Sequence, residues 1–331
     1  MRAAVFTEIN QPLHVGQQSD PQVSAGEVLI QLKAAALNRR DYWITRGMYP
    51  GIQANVVQGS DGAGVVTAVG AEVSPDWIGK EVVINPGLNW GAEEQFQSPQ
   101  FHILGMPQHG TFAELIAVPL ESVYEKPTHL DWRQAAALPL AGVTAYRAVS
   151  RGQVIADSLV LINGIGGGVA LMAMQFSLAL GAQVLVTSSS QEKLDQACAE
   201  GAIAGFLYSD SDWGKQVLTG HGPVNVIIDG AGGSGYKTLL QIAAAGGRLV
   251  NYGSTAGTPE NVDLFKLFWK QLRLIGSTMG SDQDFQEMLA CVNQHQLVPR
   301  VDSVYALEDV NQAMKKLETG QQFGKVVLEI E

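Results

Sequence analysis

Ser158-Leu159-Val160-Leu161-Ile162-Asn163-Gly164-Ile165-Gly166-Gly167-Gly168-Val169-Ala170 passes from an unbroken apolar run, through four glycines in five positions, into a helix-forming segment. A short run that is apolar throughout reads as a strand buried on both faces. Glycines between such a strand and a helix permit a tight turn, leave no Cβ where another backbone or a ligand approaches, and expose amides at a positive helix end. A dinucleotide pyrophosphate needs that combination. Working outward, strands are predicted at 183–187, Val224–Asp229, 247–252 and Arg273–Gly276, with helices over 132–148, 168–180, 191–200 and 236–244. Buried strands alternating with helices predict a parallel sheet covered on both faces, an α/β architecture.

The first ~120 residues have another rhythm. Short alternating runs at 1–7, 26–36, 62–70 and 81–85 are broken by Asp20-Pro21, Ser74-Pro75 and Asn85-Pro86-Gly87, the punctuation of an antiparallel, barrel-like domain. Residues 86–109 form a polar excursion whose length is unusual inside a compact domain. After Asp282–His295, the strand-like 300–305, helix 307–318 and strand 324–330 resemble the first domain in style. The chain is therefore read as leaving one domain (1–125), building a second (126–276), and returning to the first (277–331).

Composition narrows the function. With 32 acidic against 21 basic residues and a net charge of -11, nucleic acid and anionic membranes are poor partners. Two cysteines, Cys198 and Cys291, exclude a disulfide scaffold and a four-cysteine zinc site. No apolar stretch approaches ~20 residues. Met1-Arg2-Ala3-Ala4-Val5 opens straight into strand-like sequence, so a cytoplasmic protein is expected.

An acid at the end of the second parallel strand would favour NAD. The chain instead has Thr187-Ser188-Ser189-Ser190-Gln191-Glu192-Lys193. Ser188 and Ser189 can donate to a 2′-phosphate and Lys193 supplies a cation, so NADPH is the expected cofactor, with NADH less favoured. Ser189 with Glu192 also fits a helix capping box.

Further motifs carry a resemblance. Asn38-Arg39-Arg40-Asp41, Arg46-Gly47-Met48-Tyr49, Gly59-Ser60-Asp61-Gly62-Ala63-Gly64-Val65-Val66, Gly110-Thr111-Phe112-Ala113-Glu114, residues 136–146, the glycine loop and Gly246-Gly247-Arg248-Leu249-Val250-Asn251-Tyr252-Gly253 follow one another along nearly the whole chain. In that order they resemble the medium-chain dehydrogenase/reductase superfamily, and within it the zinc-free quinone oxidoreductase-like branch. The resemblance implies a GroES-like β-barrel catalytic domain built from both chain ends, a Rossmann doubly wound parallel-sheet domain, an active site between them, and a homodimer. Zinc members place Cys, His and Cys where this chain has Asn38, Ser60 and Leu140, none of which replaces a soft tetrahedral ligand, so no metal is expected. The 86–109 excursion resembles the lobe that carries structural cysteines in zinc members and has none. His102, His109, Glu93 and Glu94 there match no common metal spacing.

Without a Lewis acid, hydride delivery suits an acceptor that spreads its own charge, a quinone or an α,β-unsaturated carbonyl. By resemblance, Asn38 and Tyr49 are the catalytic donors, and Trp43 and Tyr49 bound the substrate. Thr144, Gly164, Gly166, Gly167, Gly168, Val169, Ser188, Ser189, Lys193, Tyr208, Gly232, Gly253, Ser254, Ser277 and Thr278 line the cofactor. Plainer roles remain open: Asn38 and Asp41 as loop fasteners, Tyr49 as a turn aromatic, Thr144 as a helix hydroxyl bonded to its own backbone, Tyr208 as an exposed loop residue. Two whole-protein alternatives also stand, an NADPH-binding sensor with little turnover and a zinc-type alcohol dehydrogenase. A serine hydrolase does not fit, because Gly253-Ser254-Thr255-Ala256-Gly257 centres Thr rather than the nucleophile.

Overall fold

A computed structural model describes residues 1–331. The run that opens the glycine motif is strand Leu159–Asn163, third in a six-stranded parallel sheet. The sheet's order is Ala204–Leu207, Gln183–Ser188, Leu159–Asn163, Val224–Asp229, Ala243–Asn251, Arg273–Gly276. The sequence of strands reverses direction beside Leu159–Asn163, and loops at the carboxyl ends on either side of that point are where open α/β sheets bind ligands. Leu161, Leu185, Ile227 and Leu249 from four strands pack with Phe206, Trp213, Leu239 and Leu240. Helix Gly168–Ala179 is buried along Ala170–Met174 and again at Phe176, which explains its apolar character on nearly every side.

The remaining residues form an antiparallel unit. Its main sheet runs Val123–Glu125, Glu81–Ile84, Asp61–Val69, Glu27–Ala36, Lys325–Glu329, Val301–Ala306, with Leu115–Pro119 also pairing to Glu27–Ala36. Only its last pair, Val301–Ala306 with Lys325–Glu329, is parallel. A smaller sheet comprises His14–Gln17, Arg2–Phe6 and Val56–Val57. Chain return is literal: Val327 and Leu328 register against Ala36 and Ala35. Val326 and Leu328 join Ile30, Leu32, Val66, Ile84 and Phe112 in one core.

The two units divide at 141/142 and 279/280, later in the chain than the expected 125/126 and 276/277. Residues 126–141 stay with the antiparallel unit because helix Trp132–Ala137 packs on strands Glu27–Ala36, Asp61–Val69 and Lys325–Glu329. Residues 277–279 stay with the parallel unit: Ser277 N–H bonds to Asn251 O (2.8 Å), and Met279 meets Thr144. The single helix expected over 132–148 is two, Trp132–Ala137 and Pro139–Arg151, because Pro139 cannot donate the amide that continuity requires. The 86–109 excursion carries a two-residue hairpin, Gly87–Leu88 with His102–Ile103, closed by Trp90 edge-on to Phe101 at 5.2 Å. No helix is long and apolar enough to cross a membrane.

Candidate active site

In the parallel unit, the glycine turn is shaped by the strand ends beneath it. Thr187 accepts the Gly164 amide at its Oγ1 (2.9 Å) and donates to Asn163 Oδ1 (2.7 Å), while Ile165 N–H bonds to Thr187 O (2.7 Å). Asn163 passes the network on to Asp229 (2.8 Å), which also accepts the amides of Ala231 and Gly232 and the side chain of Asn251. Four adjacent strands thus end in one buried polar chain that fixes the loops above it. Gly164 adopts φ +80°, a conformation that side chains disfavour. Gly167 does not: its φ is -85°, and a Cβ built there meets no atom within 4 Å. Neither backbone conformation nor protein packing demands glycine at 167, so the space above this backbone is open to a ligand. Gly167 is the N-cap of Gly168–Ala179 and offers no side chain to the first-turn amides of Gly168 and Val169.

Other expected nucleotide residues gather at the same edge. Ser188 ends its strand and is buried, and its carbonyl accepts the Tyr208 amide (3.0 Å), which brings Tyr208 beside the Ser188–Ser189 turn. Lys193 lies in the first turn of helix Gln191–Ala199. The helix cap is Ser190, whose Oγ accepts the Lys193 amide; Ser189, expected to cap with Glu192, lies outside the helix and is exposed. That slip of one residue arises because Ser188 Oγ accepts the Ser190 amide and tightens the turn. Gly232 and Gly233, both at φ +65°, pack on the loop holding Gly253 and Ser254. Thr144 is buried and reaches Met279 Sδ at 3.8 Å. Ser277 Oγ is buried with no hydrogen-bond partner, and Thr278 beside it is exposed. An orphaned hydroxyl, an unused glycine vacancy and free helix amides fit a dinucleotide, and these residues would hold it.

The antiparallel unit holds the other cluster. Asn38 precedes helix Arg39–Thr45, where its backbone amide donates to Asp41 Oδ2 (2.7 Å), the fastening role open to this pair. Its side chain points into a buried network: Nδ2 donates to Asp61 Oδ2 (2.8 Å), and Oδ1 accepts from Lys325 Nζ (2.6 Å). Lys325 also binds Asp61 Oδ2 (2.8 Å), and the Leu140 amide donates to Asp61 Oδ1 (2.8 Å). Asp61 is fully buried and Lys325 is 5% exposed. Next to it, Arg40 NH1 donates to Ser60 Oγ (2.6 Å) and to Leu104 O (2.7 Å), and NH2 reaches Met106 O (3.4 Å). Its Nε donates to Tyr49 Oη (3.2 Å), and the guanidinium lies over the Tyr49 ring, 4.8 Å from its centre. Tyr49 is half-buried. Trp43, also half-buried, makes its ring contact with Tyr42.

Asn38, Ser60 and Leu140 are therefore neighbours in one network. The donor set there does not fit a zinc ion: an amide, a hydroxyl and an aliphatic side chain, with Asn38 and Ser60 already bonded to internal cations. No cluster of three His, Cys, Asp or Glu side chains suited to a metal exists in the chain. His109 instead accepts the Val57 amide at Nδ1 (3.0 Å). The sequence reading missed Arg40 and Lys325 and gave Asp61 only a local structural role. It also left the 86–109 excursion unexplained, whereas that lobe delivers the Leu104 and Met106 carbonyls to Arg40.

Burial pushes the Asp41 carboxyl up to about 6, against the opposing pull of Arg40 and the Asn38 amide. The folded chain then holds a proton that the unfolded chain releases near pH 4, so this group lowers stability as pH rises from about 4 to about 6. Asp41→Asn, which cannot ionise, is expected to gain about 1–3 kcal/mol on the parent between those limits. Denaturant titrations of both proteins at pH 4 and pH 7 check this; a pH-independent difference contradicts it.

Family comparisons agree with this geometry. The model for the alcohol dehydrogenase GroES-like domain matches residues 24–128, and the model for zinc-binding dehydrogenases matches residues 168–294. A zinc-type alcohol dehydrogenase-like protein, YogA, of Leptosphaeria maculans is 33% identical over 98% of this chain and 96% of its own. This chain belongs to the medium-chain dehydrogenase/reductase superfamily. Its antiparallel unit is the superfamily's GroES-like domain, its parallel unit the Rossmann domain, and its general activity that of an oxidoreductase. A solved NAD-dependent alcohol dehydrogenase superposes with a TM-score of 0.95 at 35% identity, covering all of both chains. An acryloyl-coenzyme A reductase of Sulfurisphaera tokodaii is 26% identical over 99% of each chain.

Proposed function

We propose that the chain is an NADPH-dependent reductase of quinones or α,β-unsaturated carbonyl compounds that works without zinc. One observation carries the reading. Asn38 and Ser60, where zinc relatives have ligands, are bonded to Lys325 and Arg40, and a divalent ion would have to displace both cations. Bound NADPH supplies a hydride to the acceptor's electron-poor carbon. Tyr49 donates a hydrogen bond to the acceptor oxygen as that oxygen gains charge. Asn38 Nδ2, with one proton given to Asp61, has a second to offer the acceptor, and Trp43 with Tyr49 bounds the substrate. An acryloyl thioester, substrate of the Sulfurisphaera relative by its name, is an activated acceptor of this kind. The chemistry is tested by NADPH oxidation against a panel of quinones and enones. Saturable turnover is expected; tight NADPH binding with turnover of none would favour the sensor.

Ser188, Ser189, Lys193 and Tyr208 select the cofactor, since no acid ends the second strand to accept a ribose hydroxyl. Lys193→Ala is expected to reduce the preference for NADPH over NADH by about tenfold, the worth of one charge-assisted contact to phosphate. Equal preference ratios in parent and variant would reject that assignment. A homodimer is proposed through the outer edge of strand Arg273–Gly276, beside exposed Phe265, Phe268 and Trp269.

A further inference from the structure

We propose that Arg40 is a positioning residue that turns the Tyr49 hydroxyl into a receptor for a substrate oxyanion, a role that rests on the reductase reading above. A phenol oxygen has one proton to give and two lone pairs. Arg40 Nε–H occupies one lone pair (3.2 Å) and, being a donor only, cannot take the phenolic proton in return. That proton is left for a third group. The guanidinium carbon over the ring, 4.8 Å from its centre, restrains the sideways freedom that a single bond would leave.

The charge on Arg40 matters as much as its direction. Every hydrogen bond it makes goes to a neutral acceptor: Tyr49 Oη, Ser60 Oγ, Leu104 O and Met106 O. The nearest carboxylate oxygen, Asp41 Oδ1, is 3.9 Å away, and Asp41 gives its bonded oxygen to the Asn38 amide. Lys325, the other buried cation of this cluster, is bonded directly to Asp61. Of the two, Arg40 is the one with no anion among its hydrogen-bond partners, its pull on Asp41 acting across 3.9 Å, and the half-buried Tyr49 is the group that can carry its field to a ligand. Lysine could not do the same. Four acceptors in different directions need the planar fork of donors. The occupant is the charged oxygen of an enolate or a reduced quinone.

The probe for such an oxygen is 4-nitrophenolate, titrated into the full chain saturated with NADP+ at a pH where the phenol is ionised, and followed by its absorbance shift. The parent, Arg40→Met, Arg40→Lys, Tyr49→Phe and the Arg40→Met/Tyr49→Phe double variant are compared, with denaturation midpoints recorded for each. Arg40→Met and Tyr49→Phe are each expected to weaken binding by about 10- to 100-fold. The double variant is no weaker than the worse single, and Arg40→Lys recovers part of the loss. In turnover with an enone, the same substitutions lower kcat more than they raise KM. Arg40→Met binding the probe like the parent overturns the proposal, as do losses that multiply in the double variant or a parent that ignores the probe. Coupled loss of probe binding in a parent that reduces no quinone or enone leaves the receptor standing and removes the reductase reading instead.

Discussion

Lys325→Met is expected to destabilise the GroES-like domain by about 3–5 kcal/mol, the cost of leaving a buried carboxylate without its cation. Asp61 is fully buried, and Lys325 supplies its only charged hydrogen-bond donor; the other donors are the Asn38 amide group and the Leu140 backbone. Methionine fills the lysine's volume, so the loss reports charge rather than a cavity. Adding Asp61→Asn removes the stranded anion, and Lys325→Met/Asp61→Asn is therefore expected to be more stable than Lys325→Met alone. Urea unfolding of the parent, the single and the double variants decides it. Additive losses, or a single-variant loss below about 1 kcal/mol, would mean that the ion pair is not what balances Asp61.

Gly167→Val separates the nucleotide from the fold. The side chain enters open space at ordinary φ, so stability should change by no more than about 1 kcal/mol, the range of an N-cap substitution. Valine would stand where the pyrophosphate must approach the first-turn amides, and NADPH affinity is expected to fall at least about 100-fold. Gly164→Val makes the control: at φ +80° it should lower stability as well as binding. Titration by protein fluorescence checks both. Undiminished affinity in Gly167→Val would show that this turn does not carry the phosphates.

The Rossmann unit was legible because its signals are local. Apolar strands, a glycine turn and a helix lie within thirteen consecutive residues from Ser158 to Ala170, and Val224–Asp229 and Arg273–Gly276 fall where the sequence predicts them. Pro139 was a readable break inside 132–148 that apolar periodicity masked. The donor cluster was legible only in part. Asn38 and Tyr49 lie in recognisable motifs, but what surrounds them is assembled across the chain: Lys325 is 287 residues from Asn38, and the Leu104 carbonyl is 64 from Arg40. Backbone carbonyls leave no trace in side-chain identity, so nothing local announced that the 86–109 lobe brings two carbonyls to a guanidinium. One signal was available. Lys325 begins the Lys-Val-Val-Leu run of a strand, and a lysine leading a buried strand asks for a buried anion.

Hydride transfer to a self-activated acceptor, unaided by metal, is tested most directly by following the label. The chelator-treated full chain is supplied with NADPH deuterated at the transferred position and an enone, and the product is read by NMR. Deuterium at the β-carbon, solvent hydrogen at the α-carbon, and a rate unchanged by added zinc are the predicted results. A chelated protein that transfers no label until zinc is restored, or that labels the carbonyl carbon to give an alcohol, would contradict the account.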